Sequence, residues 1–325
     1  METATAIAAH TALSSWGLQR YEPVGWAEEL LPAATAADVA QLPRLYAAAT
    51  LCAQTGRPEE AVGYAQVAVA LEPDPRYDPF ENGLAQSLEA TGHIYAGRID
   101  RFLEIGIAQA AKSGLAGLVG RCAMAYALPA VGRAAEARAI APDTLASARA
   151  RGNPWMVAYA INAFGQAFAD TDPGRVLDVY REGLRYTRQH RLPLWEAVIA
   201  RDAAGLEAAH GTLDQGLALF DIAIDSCHQS GNIGNLAVTL ANLALFFDRH
   251  GQPETAATLY GTTTLYTSTV MVTDWPERIE QLRTALGESR FDECAAVGAA
   301  MELADAVRYA RHQIEVTLRQ LGDPG

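Results

Sequence analysis

Lysine is almost missing from this sequence. Lys112 is the only one in 325 residues, and arginine carries nearly all the positive charge. That excludes a P-loop, whose G-x-x-x-x-G-K-[ST] needs a lysine reaching the phosphates. Clustered positive charge is missing too. The formal net charge is −13, from 25 basic and 38 acidic residues, which argues against direct nucleic-acid binding, since that depends on neutralising phosphates. Cysteine is scarce, with only Cys52, Cys122, Cys227 and Cys294 and no C-x-x-C pair. All four sit in apolar helical contexts, where a free thiol behaves as a small hydrophobe, as expected of a reduced, cytoplasmic protein. Long apolar runs are absent. The most hydrophobic, Leu236 to Phe247, has 12 residues and contains Thr239 and Asn242, so it reads as a core helix rather than a membrane span. The start, M-E-T-A-T-A-I-A-A-H, has no basic n-region of a secretory signal. There is no G-x-S-x-G, no H-E-x-x-H and no paired Cys/His array, so no nucleophile or general base can be named. The expectation is a protein that is not an enzyme, with no cofactor and no metal.

What is present is helix and period. Hydrophobic residues make up 50% and charged residues 19% of the chain, a globular balance. Leu236, Leu240, Leu243 and Phe247 recur at helical spacing. Gly251 breaks that stripe, Pro253 opens a new helix, and Ala256 and Tyr260 restart the apolar face. The same device recurs at Gly56, Gly92, Gly132, Asp172, Gly211 and Gly251, at intervals of 36, 40, 40, 39 and 40 residues. Each turn is expected to join two antiparallel helices. The first helices of the later pairs are placed at 77–91, 115–130, 154–169, 193–209 and 233–249. Their partners are placed at 93–113, 134–151, 174–190, 212–229 and 253–268.

The unit resembles a tetratricopeptide repeat. Around Gly56 it puts Cys52 before the turn and Ala61, Ala65 and Ala68 after it, with Phe247, Ala256 and Tyr260 at matching offsets from Gly251. Small side chains let two helices approach and the aromatic fills the gap to the next unit. The period exceeds the strict tetratricopeptide length of about 34 residues. The expected fold is therefore all-α: a TPR-like right-handed superhelix of longer hairpins. It divides into N-terminal capping helices (1–40), about six hairpins (41–270) and a C-terminal helical cap (271–325). In the cap, Asp274 is placed as the N-cap of a helix running to Gly287. A last helix over 302–321 is expected to carry Arg311, Glu315 and Arg319 as an outward ion-pair ladder.

The segments V-G-W-A-E-E-L-L-P-A-A (24–34), L-P-R-L-Y-A-A-A-T-L-C-A-Q-T-G-R (42–57) and L-R-T-A-L-G-E-S-R-F-D-E-C-A-A-V-G-A-A-M (282–301) resemble the C-terminal helical region of large actinobacterial regulators. Those regulators join a class III nucleotide cyclase module or a LuxR-type helix-turn-helix to an NTPase module of the signal-transduction class. The resemblance covers nearly the whole chain and implies a region that senses or relays signals through protein or ligand contacts. The NTPase motif, a DNA-reading helix pair and a cyclase aspartate motif are not identifiable in it, so the chain resembles the repeat region alone, as an excised fragment or a stand-alone relative.

Candidate residues follow from the superhelix. The first helices line its concave side, which points to Trp155, Tyr159, Asn162, Trp195, Arg201, Asn235 and Asn242 as a groove for an extended peptide or small ligand. The competing reading puts Trp155 and Trp195 in the core between repeats. A carboxylate clamp needs Lys or Arg, and only Arg44, Arg121 and Arg201 are placed to serve, which argues against one. Asp221, Asp225 and His228 share a helix face at metal-ligand spacing, but with no further ligand they read as a solvated face. Gly114, Gly117 and Gly120 read as helix-packing positions, not a phosphate cradle. His93, His210 and His250 all flank turn glycines, and two of them end a helix, where capping explains their placement. The function expected is a non-enzymatic interaction or relay domain of a signalling regulator. Its partner would be another protein, or an NTPase or cyclase module of the same regulator. The alternative is a sensor holding a small molecule or peptide in the groove, and a second alternative is a metal-dependent enzyme, which would need a metal bound at Asp221, Asp225 and His228. Oligomerisation is left open.

Overall fold

The computed structural model describes residues 1–80, 83–272 and 274–322, and among these every regular element is helical. Helices α1 (Glu2–Trp16) and α2 (Glu22–Ala36) come first. Next is α3 (Leu42–Ala49), which tightens into a 3-10 turn over Thr50–Thr55 and pairs with α4 (Pro58–Leu71). The succeeding pairs are α5 (Leu84–Tyr95) with α6 (Ile99–Ala110), and α7 (Gly114–Ala127) with α8 (Ala134–Arg151). Then come α9 (Pro154–Phe168) with α10 (Pro173–Gln189), α11 (Pro193–His210) with α12 (Leu213–Ser230), and α13 (Ile233–Arg249) with α14 (Pro253–Thr263). The chain ends with α15 (Trp275–Leu286), α16 (Glu288–Ala299) and α17 (Leu303–Gly322). No helix among the described residues is long and apolar enough to cross a membrane.

Local chemistry sets the helix boundaries. Proline opens α4, α9, α10, α11 and α14, where its missing N–H removes no helical bond. Asn153 accepts the backbone N–H groups of Trp155 (3.0 Å) and Met156 (3.2 Å), and Asp172 accepts that of Arg175 (3.3 Å). Each such cap contributes about 1 kcal/mol. The small positions keyed to the turns are in the core: Cys52, Ala61, Ala65 and Ala68 are inaccessible, as are Phe247 and Ala256. Tyr260 reaches the next unit, with ring centroids 5.9 Å from Trp275 and 5.3 Å from Phe291.

Three expectations need correction. The second turn lies at Gly97 (φ 78°), not Gly92. Helix α5 runs straight through Gly92, whose bare Cα lets Val62 pack close; a Cβ there would sit 3.3 Å from Val62 Cγ2. The first interval is therefore 41 residues and the second 35, and His93 lies buried in the last turn of α5 rather than opening the helix after the turn. Asp274 precedes α15 in a left-handed conformation (φ 55°) and its side chain makes no capping bond. Arg311 does not join an outer ladder. It crosses to α12 and pairs with Asp221 (2.8 Å) and Asp225 (3.0 Å), leaving only Arg319 with Glu315 (3.2 Å) on the outer face.

Two close helix crossings depend on glycine. A Cβ at Gly120 would collide with backbone atoms of Gly106 and Ala110, so α6 and α7 meet backbone to backbone. Gly261 and Gly298 do the same for α14 and α16. Gly117 and Gly120 thus belong to a packing face, as the spacing suggests, whereas Gly114 is exposed with nothing close to it and opens α7 at a positive φ (73°).

The superhelix also closes on itself. Trp16 at the end of α1 lies 5.0 Å, centroid to centroid, from Trp155 on α9. Gln19 Nε2 donates to Ser226 Oγ (2.8 Å), and Ser230 Oγ donates to Gln19 Oε1 (3.0 Å). Asn232 Nδ2 reaches Tyr21 Oη (3.0 Å) and Gln54 Oε1 (3.3 Å). The Tyr95 ring fills the space over Gly234, and Thr267 donates to the Tyr95 carbonyl (2.6 Å). Where the sequence suggests an open concave groove, the early helices fold across it.

Candidate functional site

Closure leaves a deep cavity of about 760 Å³ inside the superhelix, within the range of small-molecule sites. Six of the seven groove candidates line it: Trp155, Tyr159, Asn162, Trp195, Arg201 and Asn235. Asn242 does not. It donates to the Val238 carbonyl one turn back (2.9 Å) and faces a separate pocket of about 170 Å³. It lies two helical turns along α13 from Asn235, which lines the main cavity.

The opposite wall comes from early first helices that sequence reasoning passed over: Leu88 and Tyr95 on α5, and Val119 and Tyr126 on α7. They occupy the same inward register as the named candidates, so the repeat pattern held that signal. Trp16 and Leu18 join from the α1–α2 turn, a contact between distant parts of the chain that no local pattern announces.

The wall has two chemical zones. One is aromatic. Trp155 packs against Trp16, Tyr159 (5.7 Å) and Trp195 (5.1 Å), and Tyr159 stacks on Trp195 (5.1 Å). The tryptophans fill the gap between repeats and also line the cavity. The indole N–H groups of Trp16 and Trp195 are shut from water without an acceptor, an arrangement that costs free energy unless something supplies one.

The other zone is a polar chain centred on Arg201. Its Nε donates to Asp202 Oδ1 (2.6 Å) and its Nη1 to Asn235 Oδ1 (3.1 Å). Asp202 Oδ2 accepts from Asn162 (2.6 Å) and Gln166 (3.0 Å), and Asn235 Nδ2 donates to Tyr95 Oη (2.7 Å). Arg201 is 3% exposed. Burial alone would lower its affinity for the proton, but Asp202 outweighs this and holds the guanidinium charged, above its ordinary value. Tyr126 and Tyr159 keep accessible surface, yet desolvation pushes the Tyr126 phenol up to about 12 and that of Tyr159 well above its usual value. Side chains that are accessible and still desolvated face an internal space.

Elsewhere the sequence candidates resolve into structure. Asp221 and Asp225 are occupied by Arg311, and among the described residues no group of three or more His, Cys, Asp or Glu side chains is placed to hold a metal. All four cysteines are buried and unpaired. The Cys52, Cys122 and Cys227 thiols are each pushed up to about 12, chiefly by burial, opposite to the shift a reactive thiolate needs.

Fold and site together define an all-α helical-repeat protein of the TPR-like kind, closed around a cavity. No family model matches the sequence, and no curated protein does. Among solved structures the chain is similar to a Rap protein crystallised in complex with Competence and Sporulation Factor. The two are 13% identical, with a TM-score of 0.58 over 90% of this chain and 80% of that one. At that identity the likeness shows the TPR-like helical-repeat fold.

Proposed function

We propose that this chain is the ligand-sensing interaction module of a cytoplasmic signalling regulator and carries out no reaction of its own. The cavity takes an apolar ligand, and the outer helix faces meet a protein partner or an NTPase or cyclase module of the same regulator. The observation that carries this reading is the apolar cavity of about 760 Å³, closed by contacts between α1–α2 and helices more than 200 residues away. A ligand there touches both sides of the closure, so occupancy and closure are linked. The sequence resemblance to regulator repeat regions supports the relay role, and the similar Rap structure holds a bound factor. In this reading residues 1–40 cap the repeat array of 41–270, and 271–325 cap its other end.

The test is a thermal-shift screen of the purified chain against apolar metabolites and short apolar peptides, with chemical crosslinking for partners. A ligand at a hundredfold excess over its Kd adds about 2.7 kcal/mol of stability. A screen without a shift, together with no crosslinked partner, contradicts the proposal.

A further inference from the structure

The cavity wall sorts charge in a way the whole chain does not. The sequence has 38 acidic residues, yet among the described residues no Asp or Glu lines the cavity. The lining groups that carry or gain positive charge are His190, Arg191 and Arg201. His190 and Arg191 are exposed and mark the mouth with Leu18 and Asn153, while Arg201 is deep inside.

Arg201 is also incompletely used. A guanidinium offers five N–H donors. Two are committed, one to Asp202 and one to Asn235, and Nη2 has no partner among the described residues. Asp202 has both oxygens engaged, by Arg201, Asn162 and Gln166. Its charge is thus spent on fixing Arg201, and the remaining donors of the fork are left with the cavity. A buried fork with free donors matches the two oxygens of a carboxylate. A cation would meet donors only, and a hydrocarbon would leave the guanidinium edge neither hydrated nor bonded. Scarcity of cations in the sequence argues against a clamp of several basic groups; here one arginine, held rigid by Asp202 and Asn235, takes that place.

We infer that the cavity binds an apolar monocarboxylate, with the carboxylate on the free Nη edge of Arg201 and the chain along Leu88, Val119, Tyr159 and the tryptophans. This rests on reading the cavity as a ligand site. Two sources share that chemistry: a fatty acid, and an apolar peptide with a free C-terminus.

The test is tryptophan fluorescence and calorimetry on the full chain with decanoate, 1-decanol and decyltrimethylammonium. Tri-leucine with a free or an amidated C-terminus separates the two sources. Decanoate or free tri-leucine is expected to bind at least tenfold tighter than its uncharged counterpart, with the ammonium compound weakest. The double variant Arg201→Gln with Asp202→Asn removes both charges together. It should erase that preference and leave 1-decanol binding within threefold of the native value. If it fails to fold, the head-group series on the native chain decides alone. Equal binding of all three decyl compounds overturns the assignment to Arg201 and leaves the cavity reading standing. A thermal-shift hit of other chemistry, with no carboxylate bound, overturns the ligand class. No binding by any compound in either assay overturns both.

Discussion

Asn232 donates to Gln19 Oε1 (3.2 Å) across 213 residues of sequence, and it is fully buried. The same side chain caps α13 through the Asn235 backbone N–H (3.2 Å) and reaches Tyr21 and Gln54. One amide therefore does local and long-range work at the seam that closes the superhelix.

Two substitutions separate those roles. Asn232→Ala removes the cap and the seam bonds and leaves buried acceptors unpaired. Asn232→Ser keeps a capping oxygen but loses the reach to Gln19 and Tyr21. Urea unfolding should show Asn232→Ala destabilised by about 1–3 kcal/mol. Asn232→Ser should recover about 1 kcal/mol of that through the restored cap.

Gly234 lies under the Tyr95 ring, where a Cβ would collide. Gly234→Ala is expected to cost about 1–3 kcal/mol by overpacking. Because the two positions touch, a double-mutant cycle with Tyr95→Ala should give a coupling of about 0.5–3 kcal/mol. Additive effects would mean that Tyr95 does not rest on Gly234.

Trp155 ties α1 to the middle of the chain through Trp16, and Arg20 is exposed in the adjoining turn. Trp155→Ala should speed tryptic cleavage after Arg20 well beyond any change at Arg133, an exposed arginine in a turn remote from the seam. Equal acceleration at both sites would point to global unfolding instead of release of the N-terminal helices.

His93 is buried, and neither ring nitrogen makes a hydrogen bond among the described residues, although Nε2 lies 3.7 Å from Glu89 Oε1. Burial first, then Arg98 and Arg101, hold its imidazole below the ordinary value of about 6.5, against the opposing pull of Glu89. The unfolded chain therefore binds this proton more readily. His93 costs no stability well above pH 6.5, and stability is lost as the pH falls through that value towards the lowered folded one. Urea unfolding at pH 7.5, 6.0 and 5.0 should show this loss in the native chain, and His93→Gln should be less sensitive over the same interval.

Much of the fold was legible because helix ends are local events. Gly56, Gly132, Gly251 and the Asn153–Pro154 cap each fix a boundary within a few residues. Gly92 misled because a glycine marks either a left-handed turn or a close helix contact, and sequence alone does not say which. Arg311 misled because a four-residue charge ladder looks the same whether it faces water or Asp221. The candidate site was half legible. Inward positions on first helices brought six residues to one cavity, since they share a register. The closure by Trp16, Gln19 and Asn232 was not legible, because it sums small rotations over many repeats and appears in no single unit.

If occupancy of the cavity and closure of the seam are linked, a bound ligand protects both sides of the seam. Hydrogen exchange at the amides of residues 18–24 and 230–236, with and without saturating decanoate, tests it most directly. Exchange is expected to slow in both segments when the ligand is bound. Ligand that binds while both segments exchange at unchanged rates would contradict it.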